Sequence, residues 1–330
     1  MTLRPLLKQR AGVRRAIREF FDARGFVEVD TPVLGVEVLP EAHIDPIQVQ
    51  LADGQVRWLQ ASPELLMKRL LAMGSGAMYQ VAPAFRDGER GPWHDVEFQL
   101  LEWYAPGTNA DDAAELLEKL CETVLGTTGL ERLDCAEVFS EHAKIDPLKA
   151  TSDDWLAAVR RAGVVMPDGL GSLPGAEIAD RCFEMLLSEV VQPRLGHERP
   201  VLLEAWPVSQ AAFARIDPAR PTTARRFELF VRGVELANGW EEDTGREELA
   251  ARISAANTVR EAEGRMVLPF PERLLEAHGP AMPEGVGVAL GFDRLVMLAA
   301  QAETIDAVRS FPAGGTGRSL PPSPPSSSSR

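Results

Sequence analysis

Two arginines, a scatter of glutamates and one aromatic ring carry most of the chemistry legible in this chain. Arg86 opens the polar stretch Arg86-Asp87-Gly88-Glu89-Arg90-Gly91-Pro92-Trp93-His94-Asp95-Val96-Glu97, and Phe98 follows as the chain re-enters an apolar run. Ala77-Met78-Tyr79-Gln80-Val81 and Phe98-Gln99-Leu100-Leu101-Glu102-Trp103-Tyr104 flank it like two β-strands, so the stretch reads as a long hairpin loop. Such a hairpin can hold a guanidinium beside a phosphate while a ring stacks on a base. Arg294 ends Gly287-Val288-Ala289-Leu290-Gly291-Phe292-Asp293-Arg294, where glycines let the backbone approach a nucleotide and an arginine can reach its phosphates. Glu228 and Glu235 lie on adjacent strand-like segments around Arg232-Gly233. Paired carboxylates beside a polyphosphate suit Mg²⁺, a hard cation that prefers oxygen ligands. Singly, each feature has a plain explanation, a glycine-rich turn with a surface arginine or two solvated strand acids. Their joint order is what carries information.

The elements that must position these groups follow from periodicity. Val13, Ile17, Phe20 and Phe21 recur at helical spacing, which predicts an amphipathic helix from about Leu6 to Ala23, stopped by Gly25. Phe26 to Thr31 alternates like a strand and ends at Pro32. Segments 47–51 and 56–60 alternate around an Asp-Gly turn. Ser62-Pro63-Glu64 opens a helix through Met73, with Ser62 as N-cap. Residues 111–190 read as a largely helical insertion. Strands return at 201–204, 226–231 and 286–290, with helices over 247–263 and 292–300. From residue 311 to 330 proline, serine and glycine dominate, a composition too poor in apolar surface to offset ordering, so a disordered tail is expected.

Composition narrows the class. A chain of 330 residues can bury one large core. No apolar run approaches the ~20 residues that span a bilayer, and no signal peptide is visible at Met1 to Lys8. Cys121, Cys135 and Cys182 have no metal-like spacing and cannot all pair, which suits a reducing cytoplasm. The formal charge of −14 argues against a dominant nucleic-acid surface. Arg4, Lys8, Arg10, Arg14, Arg15, Arg18 and Arg24 do cluster at the N-terminus, most simply as the solvated face of the first helix.

In order and content these segments resemble class II aminoacyl-tRNA synthetases: the first helix and strand look like motif 1, the 85–98 hairpin like motif 2, and 287–294 like motif 3. The resemblance covers nearly all of residues 1–310 and is strongest to the lysine branch. There Ser62-Pro63-Glu64, Leu101-Glu102-Trp103-Tyr104 and Glu235-Leu236-Ala237-Asn238-Gly239 match. It implies an α+β fold, a mostly antiparallel sheet flanked by helices, and a homodimer through the motif 1 region. It also implies ATP bound by Arg86, His94, Phe98, Glu228, Glu235, Gly291 and Arg294, with Mg²⁺ on Glu228 and Glu235. Arg86 and Arg294 would be the catalytic pair. Ser62, Glu64, Glu102, Tyr104, Asn238, Glu242 and Ala289 would bind a lysine-like substrate, Glu102 and Glu242 facing its side-chain ammonium and Glu64 its backbone amine. A dicationic amino acid needs several carboxylates to replace lost hydration.

Two departures refine the resemblance. Motif 1 begins almost at Met1, leaving no room for an anticodon-reading OB-fold, and Ala289 stands where lysyl synthetases have glycine. A methyl at the floor of a pocket changes which substrate shape fits. Both features are similar to the elongation factor P–lysine ligase family, stand-alone paralogues that activate (R)-β-lysine and join it to a lysine ε-amine of elongation factor P. The alternatives are a truncated lysyl-tRNA synthetase-like enzyme and a non-catalytic regulatory paralogue. Acidic charge and Ala289 speak against tRNA as acceptor, and retention of both motif arginines and both metal glutamates speaks against loss of catalysis. Motif 2 departs from its pattern at Gly88, with its acid one place later at Glu89, and at Asp95-Val96 in place of Asn-Pro. Trp240 replaces a phenylalanine.

Overall fold

The computed structural model describes residues 3–312. Helix α1 (Leu3–Asp22) precedes the short strands β1 (Val27–Glu28) and β2 (Leu34–Gly35) and the hairpin β3 (Gln48–Gln50) and β4 (Val56–Leu59). Helix α2 (Glu64–Ala72) leads into the long hairpin β5 (Met78–Phe85) and β6 (Glu97–Pro106). Then come α3 (Ala110–Leu125), β7 (Glu131–Asp134), α4 (Cys135–His142), α5 (Ser152–Ala162) and α6 (Gly175–Leu186). The C-terminal part supplies β8 (Val201–Pro207), the hairpin β9 (Thr223–Val231) and β10 (Val234–Glu241), α7 (Arg246–Ala262), α8 (Glu272–Ala277), β11 (Gly285–Gly291) and α9 (Phe292–Ala299). Eight strands form one sheet in the order β1-β5-β6-β11-β10-β9-β8-β7, and β2, β4 and β3 form a small second one. Only the edge pairs β1–β5 and β7–β8 are parallel. The fold is α+β, as expected.

Register divides the large sheet into two unlike faces. Glu228 pairs with Asn238, Asn238 with Ala289, Ala289 with Glu102, and Glu102 with Gln80. Directly paired residues project to the same side, so one face carries this polar row together with Tyr104, Gly287 and Trp240. The alternate residues Leu101, Trp103, Phe227, Leu229, Val286, Val288 and Leu290 face the other way and form the main core with Leu6, Ile17 and Phe21 of α1, Leu117 of α3 and Phe292 to Leu298 of α9. Phe21 is central to it, stacked on Tyr79 at 4.7 Å and edge-on to Phe26 at 5.1 Å.

Two local devices set the β9–β10 hairpin. Arg232 and Gly233 both have positive φ, 53° and 75°, the left-handed pair that a tight hairpin turn demands. Beyond it the register slips between Glu235 and Ala237, leaving Leu236 as a bulge. Without that extra residue Glu235 would face away from Asn238; with it, Glu235 pairs with Phe230 and joins the polar face.

The segment 111–190 is mostly helical, but it also contributes β7 to the sheet edge, an element periodicity missed because Glu131-Arg132-Leu133-Asp134 has only one apolar residue. Its aromatic core, Phe139, Trp155 and Phe183, continues into Trp206 and Phe230 of the sheet. The strand expected over 26–31 shrinks to Val27–Glu28, paired with Met78 and Tyr79 of β5, with one further backbone hydrogen bond from the Val29 amide to the Tyr79 carbonyl. Ser62 is not the N-cap of α2; Pro63 holds that position, and Ser62 Oγ accepts a hydrogen bond from the Glu64 amide at 3.2 Å. The basic face of α1 is partly consumed internally: Arg10 and Arg14 lie over the Phe292 ring, and Arg10 pairs with Asp293 at 2.6 Å. The three cysteines are free and buried. Among the described residues no helix is long and apolar enough to cross a membrane. Most of the tail expected over 311–330 lies outside the described residues.

Truncating Phe21 removes a ring buried against four others, Phe20, Phe26, Tyr79 and Trp103. Phe21→Ala is expected to cost about 3–5 kcal/mol of stability, measured as a shift in denaturant midpoint at unchanged slope.

Candidate active site

The polar face holds two clusters, separated along the Glu228–Asn238–Ala289–Glu102 row by three strand spacings, roughly 14 Å. At one end lies an acidic pocket. Glu64 projects from the first turn of α2, Glu102 from the middle of β6, and Glu242 follows β10; all three are buried, at 7, 2 and 5% exposure. Lys68, one helical turn beyond Glu64 and itself buried, joins two of them, with Nζ 2.7 Å from Glu64 Oε1 and 2.8 Å from Glu242 Oε2. The Phe213 and Trp240 rings lie 5.5 and 5.7 Å from the same ammonium. The Tyr104 hydroxyl donates to Glu102 Oε1 at 2.7 Å. Glu102 Oε2 and Glu242 Oε1 are buried without a hydrogen-bond donor among the described residues. The pocket floor is the bare backbone of Gly287, where a Cβ would collide with Glu242 Oε1 and with the Tyr104 ring.

Crowding sets the protonation of this pocket. Burial, with the repulsion of Glu64, pushes Glu102 up to about 8. Burial also raises Glu242 to about 7, even against the attraction of Lys68. For Lys68 burial favours loss of the proton, yet Glu242 and Glu64 outweigh it and hold the ammonium charged. Glu41, on the loop after β2, lines a cavity with Gln60 and Ser62, and burial brings its carboxyl to about 7.

At the other end of the row the charges alternate. Arg226 sits beside Glu228 at 2.5 Å and donates to Asn238 Oδ1 at 3.2 Å. Arg294 donates to the Glu235 carbonyl at 2.7 Å and carboxylate at 3.1 Å, and to His94 Nε2 at 2.7 Å. Because a guanidinium only donates, His94 must be neutral with its proton on Nδ1; burial and Arg294 both lower its pKa, in agreement. Burial raises Glu228 to about 8, reinforced by Glu235. Glu235 is only half-buried; what burial it has works against its charge, but Arg294 more than offsets this and keeps its carboxyl below the usual range. Gly291 lies against the aliphatic stem of Arg294.

The 86–97 loop is held over this end. Arg86 lies 5.1 Å from the Phe98 ring centroid, donates to the Ala61 carbonyl at 3.3 Å, and meets Glu89 at 3.6 Å. The acid displaced by Gly88 therefore still reaches the arginine from Glu89. Asp95 finds a partner in Arg309, and the Trp93 indole donates to the Glu303 carbonyl at 3.0 Å.

All the candidate residues thus lie on or around one sheet face, in two groups. Glu64, Glu102, Tyr104 and Glu242 assemble directly, with Ser62 in the adjoining cavity and Ala289 and Asn238 along the row. Arg294, His94, Glu235 and Gly291 form a second set beside Glu228, and Arg86 packs with Phe98. Sequence reasoning missed Lys68, Arg226, Gly287 and Glu41. Lys68 was findable: a lysine four residues after Glu64, on a helix whose other residues are apolar apart from Arg69, has little solvated face to occupy. Arg226 shares the alternation of Glu228 and Phe230.

A sheet of this topology, an arginine at each motif position and paired acids between them define a class II synthetase catalytic domain. The family model for class II tRNA synthetases (D, K and N) matches residues 2–314, and the chain belongs to that family. Within it the chain falls in the elongation factor P–(R)-β-lysine ligase branch of enzymes. It is 36% identical over 312 residues to the "Elongation factor P--(R)-beta-lysine ligase" of Photobacterium profundum, covering 93% of this chain and 95% of the relative. It is 38% identical over 310 residues to the protein of that name from Edwardsiella ictaluri, covering 92 and 94%.

Gly287→Ala should raise KM for the amino acid at least 10-fold, since the methyl displaces Glu242 or Tyr104, while KM for ATP stays within about 2-fold; steady-state kinetics checks both. A second expectation concerns pH. Glu102 and Glu242 bind protons in the folded state well above the ~4.3 of a free glutamate. Stability should therefore be highest below the ~4.3 of a free glutamate, decline as pH rises from there to about 7 to 8, and level off above that. As far as these two groups go, the melting temperature should fall between about pH 5 and 8, and Glu102→Gln should flatten that fall, as read by thermal circular dichroism.

Proposed function

We propose that this enzyme activates (R)-β-lysine, or lysine, with ATP and transfers it to a lysine ε-amine of elongation factor P. The observation that carries the reading is the buried acidic pocket, whose unpartnered Glu102 and Glu242 oxygens suit the ammonium groups of a diamino acid. The names of the relatives supply the β-isomer and the protein acceptor.

In the first step the substrate carboxylate attacks the α-phosphorus of ATP and pyrophosphate leaves. Two anions must meet, so the protein's work is positioning and charge neutralisation. Arg86 binds the α-phosphate and the attacking carboxylate, and Phe98 stacks on adenine beside His94. Arg294 exchanges its contacts to His94 and Glu235 for the γ-phosphate. Glu64, Glu102, Tyr104 and Glu242 hold the ammonium groups, Asn238 orients the substrate, and Ala289 shapes the floor between pocket and nucleotide. Glu228 and Glu235, brought to one face by the bulge at Leu236, offer two oxygen donors. Such a pair of carboxylates would suit Mg²⁺, a hard cation that prefers oxygen ligands. Bound there, Mg²⁺ would neutralise phosphate charge. In the second step the neutral ε-amine of the acceptor attacks the acyl carbon, its N–C bond forms, AMP leaves with the bonding electrons, and the amine loses a proton.

The enzyme works in the cytoplasm as a homodimer, without tRNA. The exposed Leu3 and Leu7 on α1 and Val27 on β1 support a subunit interface at the motif 1 region.

The test is the intact mass of elongation factor P after incubation with the enzyme, ATP, Mg²⁺ and either isomer. A gain of one lysyl unit, faster with (R)-β-lysine, is expected; adenylate formation without any gain would remove elongation factor P as acceptor. Arg86→Ala should lower amino-acid-dependent pyrophosphate exchange by on the order of 10³-fold, and exchange at the wild-type rate would defeat the arginine's assignment.

A further inference from the structure

Lys68 is an unusual resident for a pocket read as binding ammonium groups, because it already supplies one. Its side chain is 3% exposed and its nitrogen is bonded to Glu64 and Glu242. Two of its three N–H donors are used by carboxylates, and the aromatic faces of Phe213 and Trp240 border the ammonium. The charge balance follows from the side chains that surround it. Glu64 lies on its own helix, Glu102 and Tyr104 on β6, and Glu242 and Asp243 after β10. Glu41 faces it from the loop after β2, Arg252 from α7, and His278 from beyond α8. Arg252 pairs with Asp243 at 3.5 Å, which offsets it, and with Glu248 at 2.8 Å, whose half-exposed carboxylate is solvated outside the pocket. His278 is kept neutral by burial and by Lys68 itself. Glu41 lines the adjoining cavity with Gln60 and Ser62, so the pocket itself holds three carboxylates, Glu64, Glu102 and Glu242, against one ammonium.

We propose that Lys68 is a specificity-determining positioning residue that sets the ionised pocket to a net charge of minus two, matched to an amino acid carrying two ammonium groups. The inference rests on the diamino acid reading of the pocket and deepens it. Lys68 holds the Glu64 and Glu242 carboxylates to one point, so each directs its other edge elsewhere, and Glu242 Oε1 and Glu102 Oε2 are left as acceptors. Three buried carboxylates without an internal cation would retain protons instead of charge. A protonated carboxyl attracts an ammonium weakly, so the pocket would then select poorly for dications. With Lys68 in place, arrival of the substrate needs only the release of the protons still held by Glu102 and Glu242.

Amino-acid-dependent pyrophosphate exchange between pH 6 and 9 tests this for wild type, Lys68→Met and Lys68→Arg. In wild type, KM for the diamino acid should fall as pH rises through 7 to 8. Lys68→Met should raise that KM on the order of 30-fold at pH 7.5 and move its fall at least one pH unit upward. KM for ATP should change less than about 3-fold, and Lys68→Arg should recover the wild-type pH profile. A Lys68→Met enzyme that keeps the wild-type profile, with kcat and stability lowered together, overturns the inference and leaves Lys68 a packing residue. Should that variant not fold, calorimetry on wild type in buffers of different ionisation heat decides. Net proton release on binding the diamino acid at pH 7 supports the inference, and none overturns it. Wild type without diamino-acid-dependent exchange at any pH is a distinct result, because it removes the functional reading and this inference with it.

Discussion

A carboxylate withdrawn from water costs several kcal/mol unless a cation meets it, and this chain withdraws at least four glutamates on one face of a single sheet. Lys68 answers Glu64 and Glu242, Arg226 answers Glu228, and Arg294 answers Glu235. Among the described residues Glu102 is hydrogen-bonded only by the Tyr104 hydroxyl, and burial pushes it towards its neutral form. The remaining features follow from holding these groups out of solvent. The centre of the opposite face must be apolar to anchor the strands, and α1, α3 and α9 pack against it. The backbone must be bare at Gly287, where the Tyr104 ring and the Glu242 carboxylate converge.

The two ends of the polar row are prepared differently. In the acidic pocket the compensating cation is permanent and enclosed, so the groups left over are acceptors. At the other end the compensating cations are arginines held by contacts that a polyphosphate can replace, His94 and the Glu235 carboxylate for Arg294. One end is therefore arranged to receive positive charge and the other negative charge, with small or uncharged residues, Ala289 and Asn238, between them. That polarity is what a reaction between an amino acid and a nucleoside triphosphate requires of its binding surface.

Much of this was legible in the sequence because period-two alternation marks which residues share a sheet face. Glu102 between Leu101 and Trp103, and Glu228 between Phe227 and Leu229, could be assigned to the polar side before any coordinates. The order of Arg86, Phe98, the acid pair and Arg294 was equally plain. Periodicity failed where one residue broke it. The bulge at Leu236 reverses the parity of Glu235, and no local signal distinguishes it from a regular strand. β7 was missed because an edge strand can be mostly polar. Lys68 was missed because a Glu–Lys pair at helical spacing usually belongs to a solvated surface. Its burial is completed by Phe213 and Trp240, residues 145 and 172 positions further along the chain.

The loop that carries Arg86 and His94 does not stand alone. Trp93 is bonded to the carbonyl of Glu303 and Asp95 to Arg309, while the amide of Ile305 returns a hydrogen bond to Pro92. More than 200 residues of chain separate these partners, yet they can open only together. The loop over the nucleotide end and the segment 303–309 thus form one cooperative unit of local unfolding. Ligands that order the loop will lend that order to the chain's last described turn. Anything that loosens that turn will be felt as slack in the grip on phosphate.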